Sequence, residues 1–276
     1  MRRLLPLALL VAGCQDYGKL EDDFCKTAVH VGASECADFE YTLWDTPELM
    51  PVTTGGGTLT IERYAGPDTT GPGVFRYMGR HYASATARGN SGYDDPSNAY
   101  RGTGALWVQL PAGPPASALM SAALPEAPTN GAVAVRFFVY TGNNPPPGTF
   151  EMVRWTSADG STVRTLGYDE GALRITDGLS GRTASTGTPL SATSWHCIEI
   201  DYDGTNVGTK DAPLYQTTGM TVAVDQQVRA SLPALPDAGG AGTLEIGPNR
   251  TAGAGAAVQL WMDETIVADG FIGCTL

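Results

Sequence analysis

From about residue 38 to residue 268 the chain runs as short segments in which apolar and polar side chains alternate, each ended by Gly, Pro, Asp or Asn. A period of two gives a strand one apolar row, so every such segment needs a second sheet to bury that row against. The segments are 38–44, 58–64, 104–110, 133–140, 150–155, 162–168, 172–176, 195–202, 220–226, 242–246 and 258–268. Turns such as Ala158-Asp159-Gly160 and Tyr202-Asp203-Gly204 lie between them. Residues 116–124, short and flanked by prolines, read equally as a helix or as another strand. The pattern predicts an all-β, antiparallel β-sandwich over residues 36–276. Within it, residues 65–103 are Gly-rich and strand-poor, carry Tyr77, His81, Tyr82, Tyr93 and Tyr100, and read as a long surface excursion. A chain of 276 residues, 42% hydrophobic, can fill a large core, and 35 Gly and 19 Pro without a collagen period supply its loops. With 17 basic against 29 acidic residues and no basic stripe, the net charge of −12 argues against duplex nucleic acid or an anionic membrane surface as partner.

The N-terminus carries an address. Met1-Arg2-Arg3 is followed by an apolar stretch over 4–12, too short to cross about 30 Å of hydrocarbon and shaped like a signal peptide. It ends Val11-Ala12-Gly13-Cys14, which resembles the lipobox of bacterial lipoproteins. The resemblance implies a signal peptide over 1–13, lipidation of Cys14, and a tether over 14–35 that holds the protein to a membrane. Gln15 resembles the second residue of lipoproteins sent to an outer membrane, although Asp16 blurs that rule. The expected location is therefore the cell envelope, with the outer membrane favoured. Cys25, Cys36, Cys197 and Cys274 remain, an even number suited to an oxidising compartment and open to three pairings. Cys25 with Cys36 and Cys197 with Cys274 is the favoured set, worth about 3 and about 4–5 kcal/mol in the chain-entropy model. Zinc is not indicated, because there is no Cys-x-x-Cys and His30, His81 and His196 share no ligand spacing with the cysteines.

The last third carries a second resemblance. Ser194-Trp195-His196-Cys197-Ile198-Glu199-Ile200-Asp201-Tyr202-Asp203-Gly204 resembles the Trp-His strand of laminin-G-like jelly rolls in the concanavalin A-like lectin/glucanase superfamily. Met220–Asp225, Leu244-Glu245-Ile246-Gly247 and the strand through Asp263-Glu264 follow in that family's order, and Ala37-Asp38-Phe39-Glu40 resembles its opening strand, which pairs with the last. The resemblance implies a jelly roll. Gln226-Gln227 departs from the family's usual Asp-Gly turn, and residues 65–103 have no counterpart, so ligand loops do not carry over.

Alternation sorts these segments into faces. Ile198, Ile200 and Tyr202 should point into the core with Val133, Val135, Phe137 and Val139, leaving Cys197, Glu199, Asp201, Arg136, Phe138 and Tyr140 on the other face. With Glu151 and Trp155 joining from the next strand, Arg136, Tyr140, Trp155, Glu199 and Asp201 form a candidate sugar site, rings for a sugar's apolar face and charges for its hydroxyls. Glu199-x-Asp201-x-Asp203 resembles the acid trio of family-16 glucanases, which would make Glu199 and Asp201 a nucleophile and acid. However, Asp203 replaces Glu and precedes Gly204, as a turn residue would. A lyase would need a basic Tyr/His site, for which His81 with Tyr82 or Tyr140 with Arg136 are the available pieces. Calcium is a possible cofactor through Asp94-Asp95 or Asp201/Asp203. The reading that fits best is a non-catalytic module binding a glycan or surface partner. A polysaccharide-active enzyme is the alternative, and a structural envelope protein the third.

If Cys14 carries the lipid, cells fed a palmitate analogue will label the chain, and Cys14→Ser will abolish the label and release the protein from the membrane fraction.

Overall fold

The computed structural model describes residues 33–37, 50–65, 104–123, 133–142, 145–157, 159–192, 194–206, 215–236, 242–268 and 272–274. The chain begins with β1 (Ala33–Ala37), β2 (Met50–Thr54), β3 (Thr58–Ala65), β4 (Gly104–Leu110) and β5 (Ala116–Ala123). It continues with β6 (Val133–Tyr140), β7 (Thr149–Thr156), β8 (Val163–Asp169), β9 (Ala172–Asp177) and β10 (Arg182–Ser185). The remainder is β11 (Trp195–Asn206), β12 (Tyr215–Val224), β13 (Gln227–Pro233), β14 (Thr243–Arg250) and β15 (Val258–Ala268). Residues 116–123, open between helix and strand in the sequence, are a strand. The predicted strand at 38–44, the excursion at 66–103, the signal peptide and Cys14, Cys25, Asp94 and Asp95 lie outside the described residues.

The strands form two antiparallel sheets. One has the order β13-β12-β11-β6-β15-β4-β3, with β1 also paired to β15; the other runs β10-β9-β8-β7-β14-β5-β2. The last strand pairs with an early one, Cys36 lying opposite Ile266 and Ala37 opposite Thr265, but that strand is 33–37: it takes in residues 33–35 of the expected tether, and of the expected opening strand at 37–40 only Ala37 belongs to it. Between the sheets lie Val133, Val135, Phe137 and Val139 from β6 and Ile198, Ile200 and Tyr202 from β11, as alternation requires. They meet Met152, Val153, Leu166, Tyr168, Leu173, Ile175 and Ile246 of the opposite sheet. Phe150 stacks on Tyr168 with ring centroids 4.7 Å apart, and burial pushes the Tyr168 hydroxyl up to about 12.

Tight backbone passages set the registers. Gly247, at φ +130° beside a β14 irregularity, lies where a Cβ would come within 2.3 Å of the Ala118 carbonyl oxygen, so the approach of β14 to β5 requires glycine. At one edge, Arg164 and Asp177 are buried together, Arg164 Nε donating to Asp177 Oδ1 at 2.8 Å and Nη2 to the Pro236 carbonyl at 2.8 Å. This guanidinium ties the seven-stranded sheet to the segment that leaves β13. Burial alone would raise the Asp177 carboxyl, but the hydroxyl and amide of Ser180 and the Arg164 guanidinium outweigh it and hold the group below its ordinary value.

A carboxylate depressed in the folded state contributes stability that is present above its unfolded pKa and lost as pH falls through the folded one. Asp177→Asn should therefore lower the melting temperature at neutral pH and flatten the acid limb of a melting-temperature-against-pH curve; an unchanged acid limb would contradict this. In the core, Phe137→Ala should cost about 3–5 kcal/mol in urea unfolding.

Candidate functional site

The residues expected to meet a ligand divide between two places. Arg136 and Glu199 are directly opposite on β6 and β11, with Tyr140 on the same face of β6, as expected. That face is nevertheless closed. All eight residues of β6 are buried on both sides, Arg136 being 0% and Glu199 1% exposed. The cover is the C-terminal segment. Glu199 Oε1 accepts the Ile272 amide at 2.6 Å, Oε2 accepts the Gly273 amide at 2.9 Å, and Arg136 Nη1 donates to the Gly273 carbonyl at 3.3 Å. Arg136 Nη2 also lies 3.5 Å from Glu264 Oε2, and its guanidinium sits 5.2 Å from the Phe138 ring centroid. Beside this contact Cys197 and Cys274 form a disulfide, Cα atoms 5.9 Å apart, which is the long-range pairing favoured from sequence. Glu199 and Arg136 hold a chain segment here, so the expectation that they face an open sugar groove is corrected. Half-buried Asp201 accepts from the Thr221 hydroxyl at 3.1 Å.

Trp155 is a second correction. It belongs to the seven-stranded sheet and points into the core, its ring 6.0 Å from Tyr202 and 5.3 Å from the Arg164 guanidinium. A bulge between Glu151 and Val153 explains the difference. Met152 and Val153 are both buried, and the extra residue reverses the faces beyond it, so Glu151 and Trp155 lie on opposite sides. Sequence reasoning also passed over a row of rings on the outer face of the eight-stranded sheet. Trp195, Tyr140, Trp261 and Trp107 stand opposite one another across β11, β6, β15 and β4, with centroids 5.6 Å and 5.8 Å apart along the first two steps. Tyr140 and Trp261 are buried, whereas Trp107 and Trp195 are partly exposed.

The outer face of the seven-stranded sheet is built differently. A cavity of about 280 Å³ lies across β7, β8, β9 and β14, lined by Glu151, Thr165, Asp169, Arg174, Thr176 and Asn249 among others. Thr165, Gly167 and Asp169 alternate outward along β8 while Leu166 and Tyr168 point to the core, and Gly167 contributes no side chain to the floor. Glu151 organises one wall, accepting from Arg154 at 2.9 and 2.8 Å and from the Asn249 amide at 3.0 Å. At the other wall Asp169 accepts from the Thr149 hydroxyl at 2.9 Å and pairs with Arg174, which is nearly half exposed. Glu245 lies 3.9 Å from Arg154; burial lifts its carboxyl above the ordinary range, with Arg154 pulling back and Glu151 adding to the rise. The surface thus presents fixed acceptors, the exposed Arg174 guanidinium and hydroxyls, the set that hydrogen-bonds a polyol. Asp177 and Asp201 do not reach it, and among the described residues no group of three His, Cys, Asp or Glu is gathered for a metal ion.

The architecture is the concanavalin A-like jelly roll. No protein-family model matches the chain, and no curated protein matches it either. Among solved structures, a cellulose-induced protein, Cip1, aligns over 87% of this chain and 99% of its own with a TM-score of 0.55 at 12% identity. An alginate lyase from a Chlorella virus aligns over 61% of this chain and 86% of its own, with a TM-score of 0.45 at 9% identity. A botulinum neurotoxin type C structure, whose cell entry depends on two ganglioside molecules, aligns over 60% of this chain and 40% of its own, with a TM-score of 0.38 at 8% identity. At these identities the likeness is one of fold.

The disulfide and the Glu199 contacts act on the same segment, so their loss should be measurable. Cys197→Ala with Cys274→Ala should destabilise the protein by about 4 kcal/mol in chemical denaturation, and Glu199→Gln should speed hydrogen exchange at the amides of Ile272 and Gly273.

Proposed function

We propose that this is an exported envelope protein, lipid-anchored at Cys14, whose sandwich binds a glycan or glycosylated surface partner along the outer face of the seven-stranded sheet without transforming it. The observation that carries the reading is the groove lined by Glu151, Asp169, Arg174 and Asn249, whose polar groups are held in place by one another. Pre-set hydrogen-bonding groups lose little rotamer freedom on meeting a sugar, which favours binding over a flexible polar surface. The glucanase-like pair argues less well for hydrolysis, since both oxygens of Glu199 already accept backbone amides beneath the C-terminal segment.

A glycan array probed with Cys14→Ser protein, with and without calcium, tests this. Binding should be found, should fall about tenfold or more in Arg174→Ala and Asn249→Ala, and should survive Asp201→Asn on the opposite sheet. A reducing-end assay on any bound glycan should show no product. Binding that ignores Arg174 and Asn249, or a blank array from folded protein, would remove the glycan reading and leave a structural envelope role in front.

A further inference from the structure

We propose that Ser191 is an activated nucleophile able to accept an acyl group from small carboxylic esters, with His196 as its base and Asp225 as the residue that orients the imidazole. Ser191 is exposed in the segment before β11. That segment is anchored, because the Leu190 amide donates to the Gly171 carbonyl at 2.9 Å, in the turn that follows Asp169 of the groove. His196 is buried on β11, with Nε2 2.9 Å from Ser191 Oγ and Nδ1 2.8 Å from Asp225 Oδ2. The remaining oxygen of Asp225 accepts the Cys197 amide at 3.0 Å.

Each member of this row is constrained by something other than the row. Asp225 and Gln226 form the two-residue turn between β12 and β13 with φ of 50° and 67°, a left-handed pair that non-glycine residues rarely adopt. The turn places the Asp225 carboxylate against β11, where the Cys197 amide and the imidazole hold it. We assign the ring hydrogen to Nδ1, where the Asp225 carboxylate accepts it, so that the Nε2 lone pair meets the Ser191 hydroxyl, the arrangement that makes a serine nucleophilic. Nε2 also lies 3.1 Å from the Ser191 carbonyl oxygen, which would accept its hydrogen once the ring has taken up a proton. No nucleophile-elbow motif surrounds Ser191 in sequence, and it is the β12–β13 turn that completes the set.

In the reaction, Ser191 Oγ attacks the ester carbonyl while its proton passes to His196 Nε2. The carbon–oxygen bond to the alcohol breaks, and the alcohol leaves with that proton. Water then attacks the acyl-serine carbonyl, giving a proton to His196 Nε2; the bond from the acyl carbon to Ser191 Oγ breaks, His196 returns that proton to Oγ, and the carboxylic acid and the free serine are released.

The test uses the purified full chain with p-nitrophenyl acetate and, separately, a fluorophosphonate probe followed by peptide mapping. A burst of nitrophenolate is expected, with label on Ser191. Native protein should react about a hundredfold faster than urea-unfolded protein. Ser191→Ala, which removes the hydroxyl's hydrogen bond to His196, should stay folded with only a small drop in melting temperature and lose burst and label together. His196→Gln should lose the rate while retaining Ser191. Absence of a burst from folded wild-type protein, label on another residue, or a burst unchanged in Ser191→Ala would each overturn the proposal and leave the three side chains as a clamp between a loop and a turn.

Discussion

Arg136 and Glu199 sit opposite each other on neighbouring strands with almost no water, and an ion placed there without partners would cost several kcal/mol. Much else follows from how they are satisfied. The amides of Ile272 and Gly273 turn toward Glu199, and the Gly273 carbonyl turns toward Arg136. A bulge in β15, with Glu264 in a left-handed conformation at φ 44°, brings a second carboxylate to the same guanidinium. Once the segment is held there, Cys274 lies against Cys197 and the sulfurs can join. The charges on this face thus organise the protein's own chain.

The central strands were legible in the sequence because an apolar residue at every second position marks the row that faces the other sheet, even where, as in β6, the second face is buried as well. β4, β6 and β15 begin and end where alternation places them, and the pairing of an early strand with the last follows the jelly-roll resemblance. The strands that went unread are of another kind. β10 and β13 lie at sheet edges, where most side chains meet water and an apolar row is not needed. The predicted site failed for two reasons that no local pattern records. A cover supplied from far along the chain closes over Arg136 and Glu199, Tyr140 is buried between the Trp195 and Trp261 rings, and a single extra residue at the β7 bulge turns Trp155 inward. Glu151 was the one member of the reading to reach the open groove, which also draws residues from β8, β9 and β14.

The two outer faces therefore divide the work of a sandwich. One carries a row of aromatic rings and a charge cluster, closed by backbone and disulfide; the other carries paired acids, guanidinium groups and hydroxyls around an open groove. On the second face the hydrogen-bonding groups are already oriented by ion pairs, and acids and guanidinium groups are interspersed rather than segregated by sign.

The order of strands also has a consequence for assembly. β14 stands between β7 and β5, and β15 stands between β6 and β4, so the last two described strands occupy the middle of both sheets. Among the described residues, β2 to β5 on one side and β6 to β13 on the other share no ladder apart from β14 and β15, so before these dock each half presents open strand edges. A chain caught at that stage is two incomplete sandwiches with open rows of amides and carbonyls, a form prone to pair with a neighbouring copy. Correct folding of this architecture therefore sets the entry of β14 and β15, one into each sheet, against edge-to-edge association, and dilution should favour the former.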